Sequence, residues 1–191
     1  MREKINKKLD DQFIERWSPR SFREEYLEES DIKTLFEAAR WSPSCFNEQP
    51  WFFCYSANDD ESKAGFVSAL VEQNQMWAKR APMLVFLFAR RAFARNGKAN
   101  GWCEFDCGSA WLSLAMQARK LGLYAHAMAG FNPEKALKVC GLNSAEYKPM
   151  AAIAVGKKGS RDKLPQAFQS MEEPNQRIKI DEFAKRIVKQ K

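Results

Sequence analysis

Residues 83–89, MLVFLFA, form the longest unbroken apolar run in the chain, and Arg90 and Arg91 close it. At seven residues the run falls far short of a membrane-spanning helix, which needs ~18. It is read instead as the most hydrophobic strand of a sheet, opened by Ala81-Pro82. Three further strands are expected around it: Trp51–Tyr55, Tyr124–Met128, and Met150–Val155, the last a buried type ended by Gly156. Helical spacing separates them. A short first helix is expected within Asp11–Trp17. Ser30 is read as an N-cap with Asp31 in the first turn, and Ile32, Leu35, Phe36 and Ala39 follow at helical intervals until Ser42-Pro43. Residues 61–78 carry Phe66, Leu70, Val71 and Gln75 in a helix-like pattern. Asp106–Leu121 is a strong helix closed by Gly122, and Asn132-Pro133 opens a helix through Val139. Residues 90–102 read as a loop with a short helix. The tail has weak periodicity, with a helix expected over Asp181–Val188.

This alternation implies an α+β or α/β domain around a central sheet of four or five strands. No internal repeat is present. A chain of 191 residues, 45% hydrophobic and 29% charged, fits one soluble globular domain. The charged N-terminal stretch MREKINKKLDDQF lacks the apolar segment of a secretory signal, so the expected compartment is cytoplasmic. Five cysteines (Cys45, Cys54, Cys103, Cys107, Cys140) are an odd, scattered set, read as reduced thiols that pack as small hydrophobes. With His126 the only histidine, ligands for a zinc site are lacking, and no metal is expected. His126 itself, mid-strand, is read as structural.

The net charge is +7, and residues 157–191 hold ten Lys/Arg against five Asp/Glu. A solvated face or extended arm explains this without nucleic acid, since no zinc-finger spacing or RNP-like strand accompanies it. Nor does the chain carry a GxSxG elbow, a P-loop or a GxGxxG turn. Side chains alone offer no convincing acid, base or nucleophile group, which points to a cofactor as the seat of the chemistry.

Two segments stand out: ERWSPRSF (15–22) and ARWSPSCFNEQPWFF (39–53). In the first, Arg16, Ser18 and Arg20 alternate, so an extended backbone turns all three to one side. Two guanidiniums and a hydroxyl there suit a phosphate and its adjoining polyol. Solvated surface arginines are the alternative. In the second, a helix stops at Ser42-Pro43 and offers Ser44, Cys45 and Asn47, small or amide side chains able to bond a flat heteroaromatic edge. A polar turn after a helix is the alternative there.

In this order and at this spacing the two segments resemble the nitroreductase family of flavoproteins. The matching residues are Arg16, Ser18 and Arg20, then Pro43, Ser44, Cys45, Asn47, Gln49, Pro50 and Trp51. ARKLGLY (118–124) and AMAGFNPEK (127–135) extend the likeness over roughly residues 10–166. The resemblance implies an α+β fold of three layers, α/β/α, with a mixed, mainly antiparallel sheet, in a homodimer holding FMN between its subunits. Residues 1–166 would form the FMN-binding domain, and 167–191 a basic extension packing on the partner subunit. Arg16, Trp17, Ser18 and Arg20 would contact the phosphate, ribityl and pyrimidine of FMN. Pro43, Ser44, Cys45 and Asn47 would reach the partner's flavin. Asn74 would hold the flavin side chain, Trp77 would lie where another contact falls, Met128, Ala129 and Gly130 would present backbone near N5, and Arg161 and Lys163 would close on the phosphate. Phe46, Phe93, Trp102 and Phe105 are candidates for the wall over the flavin or for the core.

The implied activity is NAD(P)H-dependent reduction of a nitroaromatic, a quinone or a similar conjugated acceptor. Flavin N5 would be the reacting atom, and no side chain is assigned as catalytic acid or base. Dehalogenation, enone or azoline redox chemistry, or FMN binding without turnover, are alternatives on the same scaffold. The chain also departs from the family pattern. Ala129 stands where several members carry glutamate, Trp77 replaces a basic residue, and the segment from Met83 to Asp106 is short.

Overall fold

The computed structural model describes residue 4 and residues 6–58 and 60–187. The elements run α1 (Gln12–Glu15), α2 (Glu29–Arg40), β1 (Trp51–Ala57), α3 (Lys63–Ala69), α4 (Glu72–Ala78), β2 (Met83–Arg90), α5 (Cys103–Lys120), β3 (Tyr124–Met128), α6 (Pro133–Val139), β4 (Tyr147–Gly156), α7 (Gln166–Gln169) and α8 (Ile180–Phe183). The four strands make one sheet in the order β1-β2-β4-β3. All three pairings are antiparallel, so of the mixed sheet expected only the antiparallel part is present.

The apolar run of β2 lies at the centre of this sheet, and every residue from Met83 to Ala89 is buried. Alternate side chains serve two cores. Met83, Val85, Leu87 and Ala89 pack with Ile32, Leu35 and Ala39 of α2 and with Cys107, Ala110, Leu114 and Ala118 of α5. Leu84, Phe86 and Phe88 pack on the other face with Phe66 of α3, Trp77 of α4 and Ala136 of α6. Three layers, helix, sheet and helix, result. Among the described residues no helix is long and apolar enough to cross a membrane.

Several boundaries differ from the sequence reading, each for a local reason. The helix expected over 61–78 breaks at Leu70-Val71, both extended. There the Val71 N–H donates to the Gly130 carbonyl (3.1 Å) and Asn132 N–H to the Ala69 carbonyl (2.7 Å), so tertiary bonds replace helical ones. Strand β4 begins at Tyr147, three residues before Met150, because Pro149 is absorbed where the β2–β4 register shifts. A bulge is one of the few places where a strand tolerates proline. Helix α2 begins at Glu29 behind Glu28 as N-cap, not Ser30, which sits inside the first turn. Helix α5 starts at Cys103, ahead of Asp106, where Asn100 Oδ1 accepts from the Trp102 N–H (3.0 Å). In residues 90–102 no helix forms. Ala92 bridges Ala99, and the turn closes through Gly97 at φ +69°. The tail helix is a single turn, Ile180–Phe183, while Val188 of the expected span lies outside the described residues.

All five cysteines are free thiols. Burial pushes Cys107 up to about 12, which leaves it protonated and inert, as a core residue should be. No group of three or more metal-binding side chains gathers among the described residues.

Leu114, fully buried in α5, tests the packing of the α2–α5 layer on β2. Leu114→Ala should lower the free energy of unfolding by about 2–5 kcal/mol in urea titrations. Lys120→Ala, exposed at the end of the same helix, should change it by less than about 1 kcal/mol.

Candidate functional site

After α1 the chain runs extended, and burial alternates along it. Trp17, Pro19 and Ser21 are buried, while Arg16, Ser18 and Arg20 are only partly covered. The inward residues fix the segment. Trp17 meets Tyr124 of β3 edge to face at 6.2 Å. The Pro19 carbonyl lies 2.8 Å from Nδ1 of His126, also on β3. Ser21 Oγ donates to the Ser160 carbonyl (2.6 Å), and Gly159 N–H donates to the Ser21 carbonyl (2.8 Å). Only glycine fits at 159, since a Cβ there would come within 2.6 Å of Ser21 Oγ and 2.9 Å of the Phe22 carbonyl oxygen.

The outward residues share one cavity of about 220 Å³, lined by Arg16, Trp17, Ser18, Arg20 and His126 together with Met171, Glu173, Asn175 and Arg177. Burial, and then the nearby charge of Arg177, lower the proton affinity of Arg16 from its ordinary value. Guanidiniums brought this close favour an anion between them.

His126 is the site residue that the sequence reading left structural. A carbonyl can only accept, so the contact with Pro19 makes Nδ1 the protonated nitrogen and leaves Nε2 a hydrogen-bond acceptor. The ring is tilted over Trp77 at 4.7 Å. Burial, against the opposing pull of the Pro19 hydrogen bond, pushes its pKa down to about 4. The cavity is thus offered cationic donors, a hydroxyl and one neutral acceptor.

The other residues singled out fall into three groups. Asn74 donates through Nδ2 to the Gly130 carbonyl (2.9 Å), joining α4 to the end of β3. A Cβ on Gly130 would meet that amide nitrogen at 2.6 Å, so this approach too requires glycine. Met128 is buried there and Ala129 exposed. Trp77 is buried behind His126, stacked on Phe22 at 6.3 Å, and its indole N–H has no partner. Arg161 does not line the cavity but pairs at 3.2 Å with Glu173, which does, while Lys163 is exposed beside it.

Pro43, Ser44, Cys45 and Asn47 do not join the arginine cavity of their own chain. They form a separate loop built with unusual backbone. Phe46, Asn47 and Gln49 all have φ between +52° and +58°, a left-handed region that non-glycine residues avoid. Asp106 of α5, buried and missed by the sequence reading, accepts from the Cys45 N–H (3.1 Å). Ser44 Oγ accepts from Gln49 N–H (3.0 Å), and Ser42 Oγ meets Ser113 Oγ at 2.7 Å. Phe46 stands exposed on this loop, with Arg95 stacked over it at 3.9 Å and Phe93 edge-on at 6.1 Å. Trp102 and Phe105 are exposed nearby in sequence, at the start of α5.

Residues 14–157, which include the alternating arginines and the Pro43–Asn47 loop, match the nitroreductase family. The chain belongs to that family. An oxidoreductase containing FMN is 34% identical, covering 96% of this chain and 93% of its own, with a TM-score of 0.91. The nitroreductase family protein from Streptococcus pneumoniae TIGR4 is 20% identical over 93% of this chain and 98% of its own, with a TM-score of 0.75. The enone reductase CLA-ER, from a gut-bacterial fatty acid saturation metabolism, is 20% identical over 97% and 100%, with a TM-score of 0.78. The last two likenesses are of fold. No curated protein matches the chain. The family match ends at residue 157, so the lining residues Met171, Glu173, Asn175 and Arg177 lie beyond it.

The neutral His126 carries a pH signature. Between pH 6.5 and about 4 the unfolded chain binds a proton at this ring that the folded chain refuses. The unfolded state then holds more protons, so stability falls as pH drops through that window, by about 3 kcal/mol across it. His126→Gln should flatten this part of the curve of urea-unfolding free energy against pH. An equally steep curve in the variant would mean that the ring is not held neutral.

Proposed function

We propose that the protein is a homodimeric, FMN-dependent oxidoreductase that takes electrons from NAD(P)H and passes them to a small conjugated acceptor, such as a nitroaromatic or a quinone. The observation that carries this reading is the convergence of Arg16, Ser18, Arg20 and His126 on one cavity. The donor set suits the cofactor: guanidiniums for a phosphate, with a hydroxyl and a neutral imidazole acceptor for polyol hydroxyls. When bound, FMN supplies hydride acceptance and donation at N5 of its ring.

The residues of the chain bind and orient. Arg16 neutralises the phosphate, Ser18 and His126 take the ribityl chain, and Arg20, with Trp17, faces the pyrimidine side. Asn74 holds Gly130, and with it the backbone of Met128 and Ala129, against the ring. Arg161 and Lys163 approach the phosphate from the turn after β4. The solved relative 34% identical to this chain, an oxidoreductase containing FMN, supports the same reading.

Size argues for two subunits. About 220 Å³ is below the roughly 300–1,000 Å³ of complete small-molecule sites, so one chain accommodates only part of FMN. The strained loop Pro43–Asn47 then serves the partner's flavin, with Phe46, Phe93, Trp102 and Phe105 as wall over the ring. Trp41, Phe46, Trp102 and Phe105 are each at least 60% exposed, which suits an interface core. Ile178, Ile180, Phe183 and Ile187 of the extension are also exposed and would pack on the partner.

Purified protein should be yellow or turn yellow on adding FMN, run at twice 22.0 kDa, and bleach with NADH or NADPH without oxygen. Reoxidation by a nitroaromatic or quinone should follow. Protein that stays colourless with added FMN sinks the reading, and bound FMN that neither nicotinamide bleaches sinks the reductase part. Arg16→Ala should weaken FMN binding about tenfold or more, the loss of one charged hydrogen-bonding partner.

A further inference from the structure

We propose that Cys54 and Cys140 are a peroxide-reactive thiol pair, in which Cys54 is oxidised first and Cys140 resolves it to a reversible intrachain disulfide. The inference stands apart from the FMN reading and involves none of the cavity residues.

The sheet sorts the cysteines. Cys103 and Cys107 lie in the core on the α2–α5 face, where burial raises both thiols, Cys107 to about 12. Cys54 and Cys140 pack against the core on the other face and are only half-buried. On β1, Cys54 lies opposite Phe86 of β2, so it takes the face that Phe86 shares with Trp77 and Phe66. Cys140 caps α6 four residues after buried Ala136, whose carbonyl accepts from its N–H (3.1 Å). That spacing puts it on the side of the helix that packs on the same core. Two elements far apart in sequence thus deliver two thiols to one place, where the Cys140 S–H donates to the Cys54 sulfur.

This bond divides the roles. It favours the Cys54 thiolate, and so lowers the proton affinity of Cys54 against the opposing effect of burial. Donating to Cys54, with burial added, raises that of Cys140. The thiolate is the reacting form. Cys54 therefore attacks one oxygen of hydrogen peroxide, the O–O bond breaks, hydroxide leaves, and a sulfenic acid remains on Cys54. The Cys140 sulfur then attacks the Cys54 sulfur. An S–S bond forms as the S–O bond breaks, and the oxygen departs as water with the Cys140 proton. In sum, two thiols and one peroxide give one disulfide and two waters, and two electrons pass from sulfur to oxygen. A disulfide needs Cβ atoms ~3.5–4.5 Å apart, and thiols already in hydrogen-bond contact approach this by side-chain rotation. The link ties β1, which among the described residues pairs only with β2, to the end of α6.

The full chain should be treated with a small excess of hydrogen peroxide, alkylated, digested and mapped by mass spectrometry. It should lose two of its five thiols, the peptides of Cys54 and Cys140 should appear joined, and dithiothreitol should restore both. Cys45, Cys103 and Cys107 should still alkylate after denaturation. Cys140→Ser keeps a donor but no resolving sulfur, so sulfenic acid should accumulate at Cys54 and be trapped by dimedone. Cys140→Ala removes the donor as well and should slow that first oxidation several-fold. Cys54→Ser should leave Cys140 a thiol at the same dose. Retention of all the thiols, preferential oxidation of another cysteine, or a bond between two chains would overturn the proposal. Sulfinic acid at Cys54 in place of the disulfide would also overturn it, since Cys140 then fails to reach its partner. If a variant does not fold, the wild-type map still decides.

Discussion

Burying β2 on both faces is the constraint on which the remaining structure depends. A strand with seven consecutive buried residues needs a helical layer on each side and a partner strand at each edge. The chain meets this with α2 and α5 on one face, α3, α4 and α6 on the other, and β1 and β4 alongside. Strand β3 is thereby left as an edge strand, paired only with β4. Its Tyr124 and His126 side chains meet the Arg16–Ser21 segment, at the Trp17 ring and the Pro19 carbonyl. His126 thus brings one strand of the sheet into the lining of the cavity.

Much of this was legible in the sequence where the signal was local. The alternation of Arg16, Ser18 and Arg20 foretold a shared side, and burial of Trp17, Pro19 and Ser21 follows the same period. The apolar faces of α2 and α5 and all four strands were visible from spacing. Hidden features had non-local causes. The break at Leu70-Val71 has no glycine or proline to mark it and arises from bonds to the Gly130 region. His126, Asp106 and Glu172 each bond a backbone group far along the chain, at separations of 107, 61 and 152 residues. No window of local sequence contains both partners of such a pair.

Two polar networks divide the work around the cavity. One consists of neutral groups, His126, Asn74 and the glycines at 130 and 159, and fixes how closely segments approach. The other consists of charged groups, in which carboxylates bind backbone or arginine and leave an excess of cation at the centre. Such a division keeps the geometry independent of the ligand while the field stays tuned to it.

The left-handed turn at Phe46, Asn47 and Gln49 has a consequence for association. Its unfavourable backbone is held in a single chain by Asp106, Ser44 and the α2–α5 contact at Ser42 and Ser113. Any surface that receives this loop therefore meets a shape already set. Little ordering entropy is left to lose on docking, so such a surface would lose little contact energy to ordering the loop.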